Sequence, residues 1–276
     1  MPTRFAWSSI FAGWSASIPG VKPISIRGKP AAGGKVPLLC VPLIGASRDA
    51  LLAEAAAVRG TAPDIVEWRV DYFVGIGDAK AVVDTARALR AALPDLPLLF
   101  TRRVLAEGGQ RVGITEQAAV DLYAAVCEAD CVDLVDYEMS NEPARIHAVR
   151  EASRRRGIGL VCSYHNFEST PPAESLAAHF RRAQELGGDV AKIAVMPKRR
   201  EDVLILLAAT LRASQALDIP LISMSMGELG ALSRVVGFAF GSALTFGVGA
   251  GASAPGQMPI GELRASIEIA RKAMHG

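Results

Sequence analysis

Long hydrophobic runs are missing from this sequence: no window approaches the roughly 18 to 20 uninterrupted apolar residues of a membrane-spanning helix. No membrane role is therefore expected. Charge of one sign is missing as well, since 30 Lys and Arg against 28 Asp and Glu leave a formal net charge of +2 and imply no polyanion partner. The basic clusters Arg154-Arg155-Arg156 and Lys198-Arg199-Arg200 fall near predicted helix ends, where cations suit the C-terminal dipole or simply solvate a face. No nucleic-acid partner is expected. The four cysteines, Cys40, Cys127, Cys131 and Cys162, form no CxxC pair, and the 127/131 spacing without a nearby histidine fits no zinc template. They read as reduced core thiols of a cytoplasmic protein that holds no metal. Aromatic residues are only 6% of the chain, but half of it is apolar, which describes an Ala/Val/Leu-rich globular protein rather than a disordered one.

Residues 1–20 carry one arginine, a short apolar-aromatic stretch broken by serines, and a Ser-Ala-Ser with a faint likeness to a signal-peptide cleavage site. They read as a leader, flexible or extraneous, ahead of a catalytic barrel domain over 21–276.

From Leu38 onward one pattern recurs: a short apolar or β-branched run, a polar loop, then a longer segment with helical period. The predicted strands are Leu38–Ile44, Asp64–Val70, Pro97–Arg103, Val132–Glu138, Gly159–His165, Asp189–Met196, Pro220–Met226 and Ser242–Gly247. Their starts lie 22 to 35 residues apart, the length of a βα unit. Asp78 and Thr115 stand as N-caps before two predicted helices, Pro172 opens a third that Gly187 follows, and Gly261–Met274 forms a last one. Eight such units with near-continuously apolar strands predict an α/β fold, a single (β/α)8 TIM barrel. A doubly wound open sheet is the alternative.

A barrel keeps its active site at the C-terminal strand ends, and the unusual polar residues fall there. They are Glu67, Arg69 and Asp71, placed on one face by alternation, then Arg102 and Arg103 with Glu107 beyond, Asp136 and Glu138, Ser163, His165 and Asn166, and Lys192. Inward charges cost free energy unless they pair or bind something. The bland alternative is a ring of ion pairs plugging the barrel top.

Lys192 interrupts the apolar run Asp189–Met196, the only one of seven lysines to break a strand-like segment. An ammonium buried there without a partner favours its neutral form, which makes Lys192 a candidate amine nucleophile for a carbonyl substrate. Otherwise its stem lies along apolar surface and its head reaches solvent or a carboxylate. His165 alone of four histidines lies at a predicted strand end. Neighbouring strands would bring it beside Lys192 as an acid/base group, although a hydrogen-bonded structural histidine fits that position too.

From about Val36 to the C-terminus these residues resemble the type I 3-dehydroquinate dehydratases. Ile65–Phe73 is similar to the family's E-W-R-x-D-x-F segment, and Phe100–Gly109 to its F-T-x-R-x-x-x-E-G-G segment. Cys162–Phe167 is similar to the S-x-H-x-F stretch and Ala191–Ala194 to K-I-A; Met226–Arg234, Phe240–Phe246 and Ser253–Gln257 complete the ordered series. The resemblance implies conversion of 3-dehydroquinate to 3-dehydroshikimate and water, with no cofactor. In it, Lys192 forms the Schiff base, His165 serves as base and then acid, and Glu107 orients the histidine. It further implies that Arg234 holds the substrate carboxylate, that Glu67, Arg69 and Arg103 address ring hydroxyls, and that Ser253 and Gln257 belong to a glycine-rich loop able to close over the ligand. A homodimer and a place in the shikimate pathway or in quinate breakdown are implied as well.

Two positions depart from the family pattern: Pro42, where a small hydroxyl residue is usual, and Arg102, which alternation turns away from the pocket toward the barrel-helix layer or a carboxylate. Two other functions share parts of the pattern. A class I aldolase-like lyase would use Lys192 but needs a phosphate nest after strand eight, and a ligand sensor would keep the pocket without the chemistry.

Overall fold

The computed structural model describes residues 21–31, 36–249 and 251–275. Residues 1–20, read from sequence as a leader, lie outside the described residues. A hairpin of β1 (Ile24–Ile26) and β2 (Lys29–Ala31) comes first. Eight parallel strands follow: β3 (Leu38–Leu43), β4 (Ile65–Arg69), β5 (Leu98–Thr101), β6 (Leu134–Glu138), β7 (Gly159–Asn166), β8 (Val190–Val195), β9 (Leu221–Ser225) and β10 (Leu244–Phe246). Helices α1 (Arg48–Arg59), α2 (Ala79–Ala92), α3 (Glu116–Glu128), α4 (Pro143–Arg155), α5 (Ala173–Glu185), α6 (Arg200–Ala216), α7 (Gly227–Val236) and α8 (Ile260–His275) alternate with them.

The strands pair in the order β10-β3-β4-β5-β6-β7-β8-β9. A parallel bridge between Leu221 and Ser242, with Ala243 N–H donating to the Leu221 carbonyl at 2.6 Å, joins the last strand to the first and closes a (β/α)8 barrel. The open sheet is thereby excluded. Strands covered on both faces have no solvent side, which is why β3, β4, β5, β6 and β8 are buried at every position.

The register is fixed at the N-terminal rim by a device repeated every second strand. Asp64, Asp133 and Asp189 each precede a strand, and each carboxylate accepts a neighbouring strand's backbone N–H at 2.8 Å, from Leu39, Leu98 and Leu160 respectively. Each aspartate's own N–H returns a bond to the carbonyl of that same residue, at 2.9, 2.9 and 2.8 Å. In the fourth strand pair Ser242 takes the equivalent part, its hydroxyl accepting from Ser223 N–H at 3.0 Å. Such clasps satisfy backbone donors that a strand start would leave unpaired.

Sequence reading did not reveal the hairpin. Its two-residue turn, Arg27-Gly28, has φ +51 and +74, the left-handed pair that a tight hairpin needs. The turn delivers the Arg27 guanidinium to Asp133, to Asp130 and to the carbonyls of Val132 and Arg156, so the hairpin covers the N-terminal rim.

The helix signals hold where they were legible. Asp78 accepts from Lys80 and Ala81 N–H, Thr115 accepts from Ala118 N–H, and Gly187 leaves α5 with φ +77. Lys198-Arg199-Arg200 proves to open a helix, α6, rather than close one. Glu201 and Asp202 in its first turn offset those cations, and Asp202 accepts from the N–H groups of Lys198 and Arg199. All four cysteines are free and buried, and burial pushes the Cys127 and Cys162 thiols up to about 12. Among the described residues no helix is long and apolar enough to cross a membrane.

Outside β4, β5 and β6 an edge-to-face chain of rings runs Phe73, Trp68, Phe100, Tyr123, Tyr137, with centroids 5.2 to 5.8 Å apart. At its centre the Tyr123 hydroxyl accepts from Arg102 N–H at 2.9 Å and donates to the Asp136 carbonyl at 2.6 Å. This chain braces, from behind, the strands that carry the site.

Candidate active site

At the C-terminal strand ends lies an open pocket of about 430 Å³. Glu67, Arg69, Arg103, Glu107, His165 and Lys192 supply its charged lining; Phe167, Met224, Met226 and Phe246 supply apolar walls; Ser253 and Gln257 stand at its edge. Eight of the nine residues singled out from sequence therefore share one cavity, and Arg234 lies just outside its lining.

Lys192 extends from β8, in register with Ser163 of β7 and Ile222 of β9. Its Nζ donates to Asp136 Oδ2 at 2.7 Å, lies 3.7 Å from Glu67 Oε1, and sits 4.7 Å from the centre of the Phe246 ring. The expectation of an amine buried without a partner is corrected. The feature missed was Asp136, two strands away in the barrel, which no sequence spacing ties to Lys192.

Asp136 is buried completely and tied on both oxygens. Oδ1 accepts from Arg103 Nη2 at 2.8 Å and from Ser163 Oγ at 2.6 Å, while Oδ2 takes Lys192. Burial alone would push this carboxyl up, but the positive charges of Arg103 and Lys192 outweigh it and hold Asp136 far below the usual carboxylate range. Arg103 also donates through Nη1 to Glu138 Oε1 and to Ser163 Oγ, both at 2.8 Å. Glu138 shifts the other way. Burial, only partly countered by Arg103 and reinforced by the charges of Asp136 and Glu107, pushes it up to about 7. The ring of ion pairs weighed as the bland alternative is thus present, and the pocket sits on top of it.

His165 ends β7 with its ring held by one carboxylate. Glu107 Oε2 lies 2.9 Å from His165 Nδ1 and accepts the His165 backbone N–H at 2.8 Å, while Oε1 accepts Ser140 Oγ at 2.5 Å. Burial alone would raise Glu107, but the His165 hydrogen bond and nearby positive charge hold it below its ordinary value. An ionised carboxylate only accepts, so Nδ1 carries the proton and Nε2 presents a lone pair. Burial, helped by the charges of Arg103 and Lys192 and opposed by Glu107, drives the ring down to about 3 and keeps it neutral near pH 7. The loop bearing Glu107 can reach back only because glycines follow. A Cβ on Gly108, at φ +84, would meet the Phe167 ring at 2.2 Å, and one on Gly109 would meet the Arg103 carbonyl at 1.9 Å.

On β4, Glu67 accepts from Thr101 Oγ1 at 2.9 Å, and Arg69 forms a two-pronged pair with Asp71 through bonds of 2.8 Å. Asp71 falls in a 3-10 turn past the strand end, so alternation brought it to the right side for a partly different reason. Arg69 Nη1 also reaches the Ser253 carbonyl at 3.4 Å. Ser253 and Gln257 bond each other, Ser253 N–H to Gln257 Oε1 at 2.9 Å and Gln257 Nε2 to Ser253 Oγ at 3.2 Å.

Arg234, on α7, is 1% exposed and has no carboxylate within ion-pair distance among the described residues. Nη2 donates to the Pro255 carbonyl at 2.9 Å, Nη1 touches Met224 Sδ at 3.4 Å, and Nε has no partner. Burial alone lowers this guanidinium to about 10, so it is a cation suited to an anion.

The two departures find accounts. Arg102 turns outward to Glu116 Oε2 at 2.5 Å, in the barrel-helix layer, as alternation required. Pro42, on β3 and paired with Glu67 of β4, has no N–H to donate, and the hydrogen bonds between β3 and the β10 segment stop one step before it, at Gly247 N–H to the Cys40 carbonyl.

Sequence reasoning placed Asp136, Glu138 and Ser163 at the barrel mouth without giving them a part in the site, and it passed over Ser140. Those three were visible as polar residues at strand ends, but only the barrel's closure shows what they face.

These features define a (β/α)8-barrel enzyme whose cavity joins an amine and an imidazole with its carboxylate, with an unmatched guanidinium just beyond the cavity lining. The sequence matches the family described as Type I 3-dehydroquinase over residues 39–273, and the chain belongs to that family. It is 56% identical over 253 residues to a 3-dehydroquinate dehydratase of Albidiferax ferrireducens, covering 92% of this chain and 96% of the relative. The crystal structure of the 3-dehydroquinate dehydratase from Geobacillus kaustophilus superposes with a TM-score of 0.88 at 44% identity, over 91% of this chain and 97% of that one. A type I enzyme from Clostridium difficile, solved with covalent modified comenic acid, gives 0.87 at 36% identity, over 92% and 99%.

Proposed function

We propose that this enzyme dehydrates 3-dehydroquinate to 3-dehydroshikimate through an iminium on Lys192. The Nζ atom attacks the C3 carbonyl carbon, and loss of that oxygen as water leaves a C=N bond. The iminium draws electrons from C2, His165 Nε2 takes the C2 proton, and an enamine forms. The C1–O bond then breaks with its electron pair on oxygen, and the imidazolium returns the proton so that water leaves. Hydrolysis of the iminium, consuming one water, frees the product and the amine.

The observation that carries this reading is the convergence on one cavity of Lys192 with His165, whose free Nε2 is set by the Glu107 contact at 2.9 Å. Glu107 fixes the tautomer and stabilises the imidazolium formed in mid-cycle. Arg234 takes the substrate carboxylate; Glu67, Arg69 and Arg103 take its hydroxyls; Ser253 and Gln257 close the loop above it. The residues form a homodimeric cytoplasmic enzyme of the shikimate pathway or of quinate breakdown, and 21–276 is the catalytic unit. Removing residues 1–20 is expected to leave kcat/KM unchanged.

Incubation with 3-dehydroquinate and borohydride, followed by peptide mass analysis, tests the chemistry. A reduced adduct on Lys192 is expected, retained in His165→Ala with little product release and absent from Lys192→Ala. Binding without an adduct on Lys192 refutes the iminium.

A further inference from the structure

We propose that Asp136 is the counter-ion of the iminium, holding the cationic nitrogen on Lys192 through the cycle and thereby setting the strength of the electron sink. The inference rests on the iminium reading above and assigns a group that this reading leaves without a part.

The argument begins with hydrogen count. A lysine ammonium has three N–H bonds, whereas an iminium nitrogen, bonded to the lysine carbon and doubly to the substrate carbon, retains one. Only one acceptor then serves. Asp136 Oδ2 is 2.7 Å from Nζ and Glu67 Oε1 is 3.7 Å away, beyond hydrogen-bond length, so the surviving N–H belongs to Asp136. With that bond in place, the substrate carbon lies on the far side of the nitrogen from Asp136.

The second step is charge. The iminium withdraws electrons from C2 only while its nitrogen carries the proton, and a buried cation without a partner is strongly disfavoured. Asp136 cannot readily turn away, since Arg103 Nη2 and Ser163 Oγ occupy its other oxygen at 2.8 and 2.6 Å. The positive charges of Arg103 and Lys192 keep it ionised despite full burial. The surroundings of Nζ are otherwise the Phe246 face from β10, Glu67 from β4, His165 from β7 and the Cys40 thiol from β3, with Arg103 after β5 on the other oxygen of Asp136. Glu67 is already engaged by Thr101, and Phe246 supplies a ring face rather than an acceptor.

The test uses the full chain labelled with [ζ-15N]lysine. In wild type with 3-dehydroquinate, the Lys192 resonance is expected at a protonated iminium shift, split by one attached proton. Asp136→Asn is expected to lower kcat by about 100-fold with little change in KM, and to raise the isotope effect for C2 deuterium, because proton abstraction becomes slowest. An Asp136→Asn variant that keeps kcat overturns the proposal while leaving the iminium reading standing, whereas an unprotonated imine in wild type overturns both. Absence of any wild-type borohydride adduct overturns the reading itself. If Asp136→Asn does not fold, the wild-type iminium proton decides: a strongly downfield shift marks the bond to a carboxylate, and the shift of an unbonded N–H overturns the proposal.

Discussion

Glu107 meets His165 twice through a single oxygen, Oε2 accepting the ring Nδ1–H at 2.9 Å and the backbone N–H at 2.8 Å. The double contact locks the ring to its own strand end. Glu107→Gln can keep both bonds by presenting its amide oxygen there and its NH2 to Ser140, but it loses the charge that steadies the imidazolium. We expect kcat to fall roughly 10- to 100-fold with KM nearly constant, measured by steady-state kinetics. A loss confined to KM would place Glu107 in substrate binding instead.

Two buried groups set opposing pH dependences of stability. His165 titrates at about 3 in the fold against an ordinary 6.5, so the unfolded chain gains a proton first and stability is lost as pH falls below about 6.5. Glu138 titrates at about 7 against 4.5, so its contribution is complete below 4.5 and lost as pH rises through 7. Between about 5 and 6.5 the two cancel. Urea unfolding across that window should therefore tilt in opposite senses relative to wild type, upward with pH for Glu138→Gln and downward for His165→Asn. Parallel curves for all three proteins would contradict the assignment.

Adjacent arginines should separate cleanly. Arg102 pairs with Glu116 outside the barrel, so Arg102→Met is expected to cost about 1–3 kcal/mol of stability while kcat/KM changes by less than about twofold. Arg103→Met strips the cation from Asp136 and Glu138 and should lower kcat/KM by more than about 100-fold. Comparable kinetic losses in both variants would show that the outer layer controls the site.

At the opposite rim, Asp133→Ala removes the acceptor of Leu98 N–H and the partner of Arg27 and Arg90. We expect a Tm drop on the order of 5–10 °C with KM unaltered, from the few kcal/mol attached to an orphaned buried N–H, an Arg90 left without a carboxylate and an Arg27 left with Asp130 alone. An unchanged Tm would mean that the clasp does not bear on stability.

Much of the molecule was legible before folding. The recurring βα spacing gave the barrel because each unit's signals are local: apolar runs, Asp78 and Thr115 as caps, Gly187 as an exit. Lys192, His165 and Glu107 were legible because strand ends gather at one mouth in this fold. Asp136 was visible as a charge on β6, but not as the partner of Lys192. That pairing is set by which side chains face inward across a closed cylinder, and the intervening β7 contributes Ser163 to it. The Arg27 hairpin escaped because a two-residue turn with an arginine in the left-handed region lacks the usual Asn-Gly signature.

The aspartate clasps and the ion network occupy opposite rims of the same staves, and no residue belongs to both. Substitutions at one end should therefore combine additively with those at the other. A lineage can rewrite its mouth loops for a new substrate while the hoop below keeps the cask upright, and an engineer can tighten the hoop without touching the chemistry.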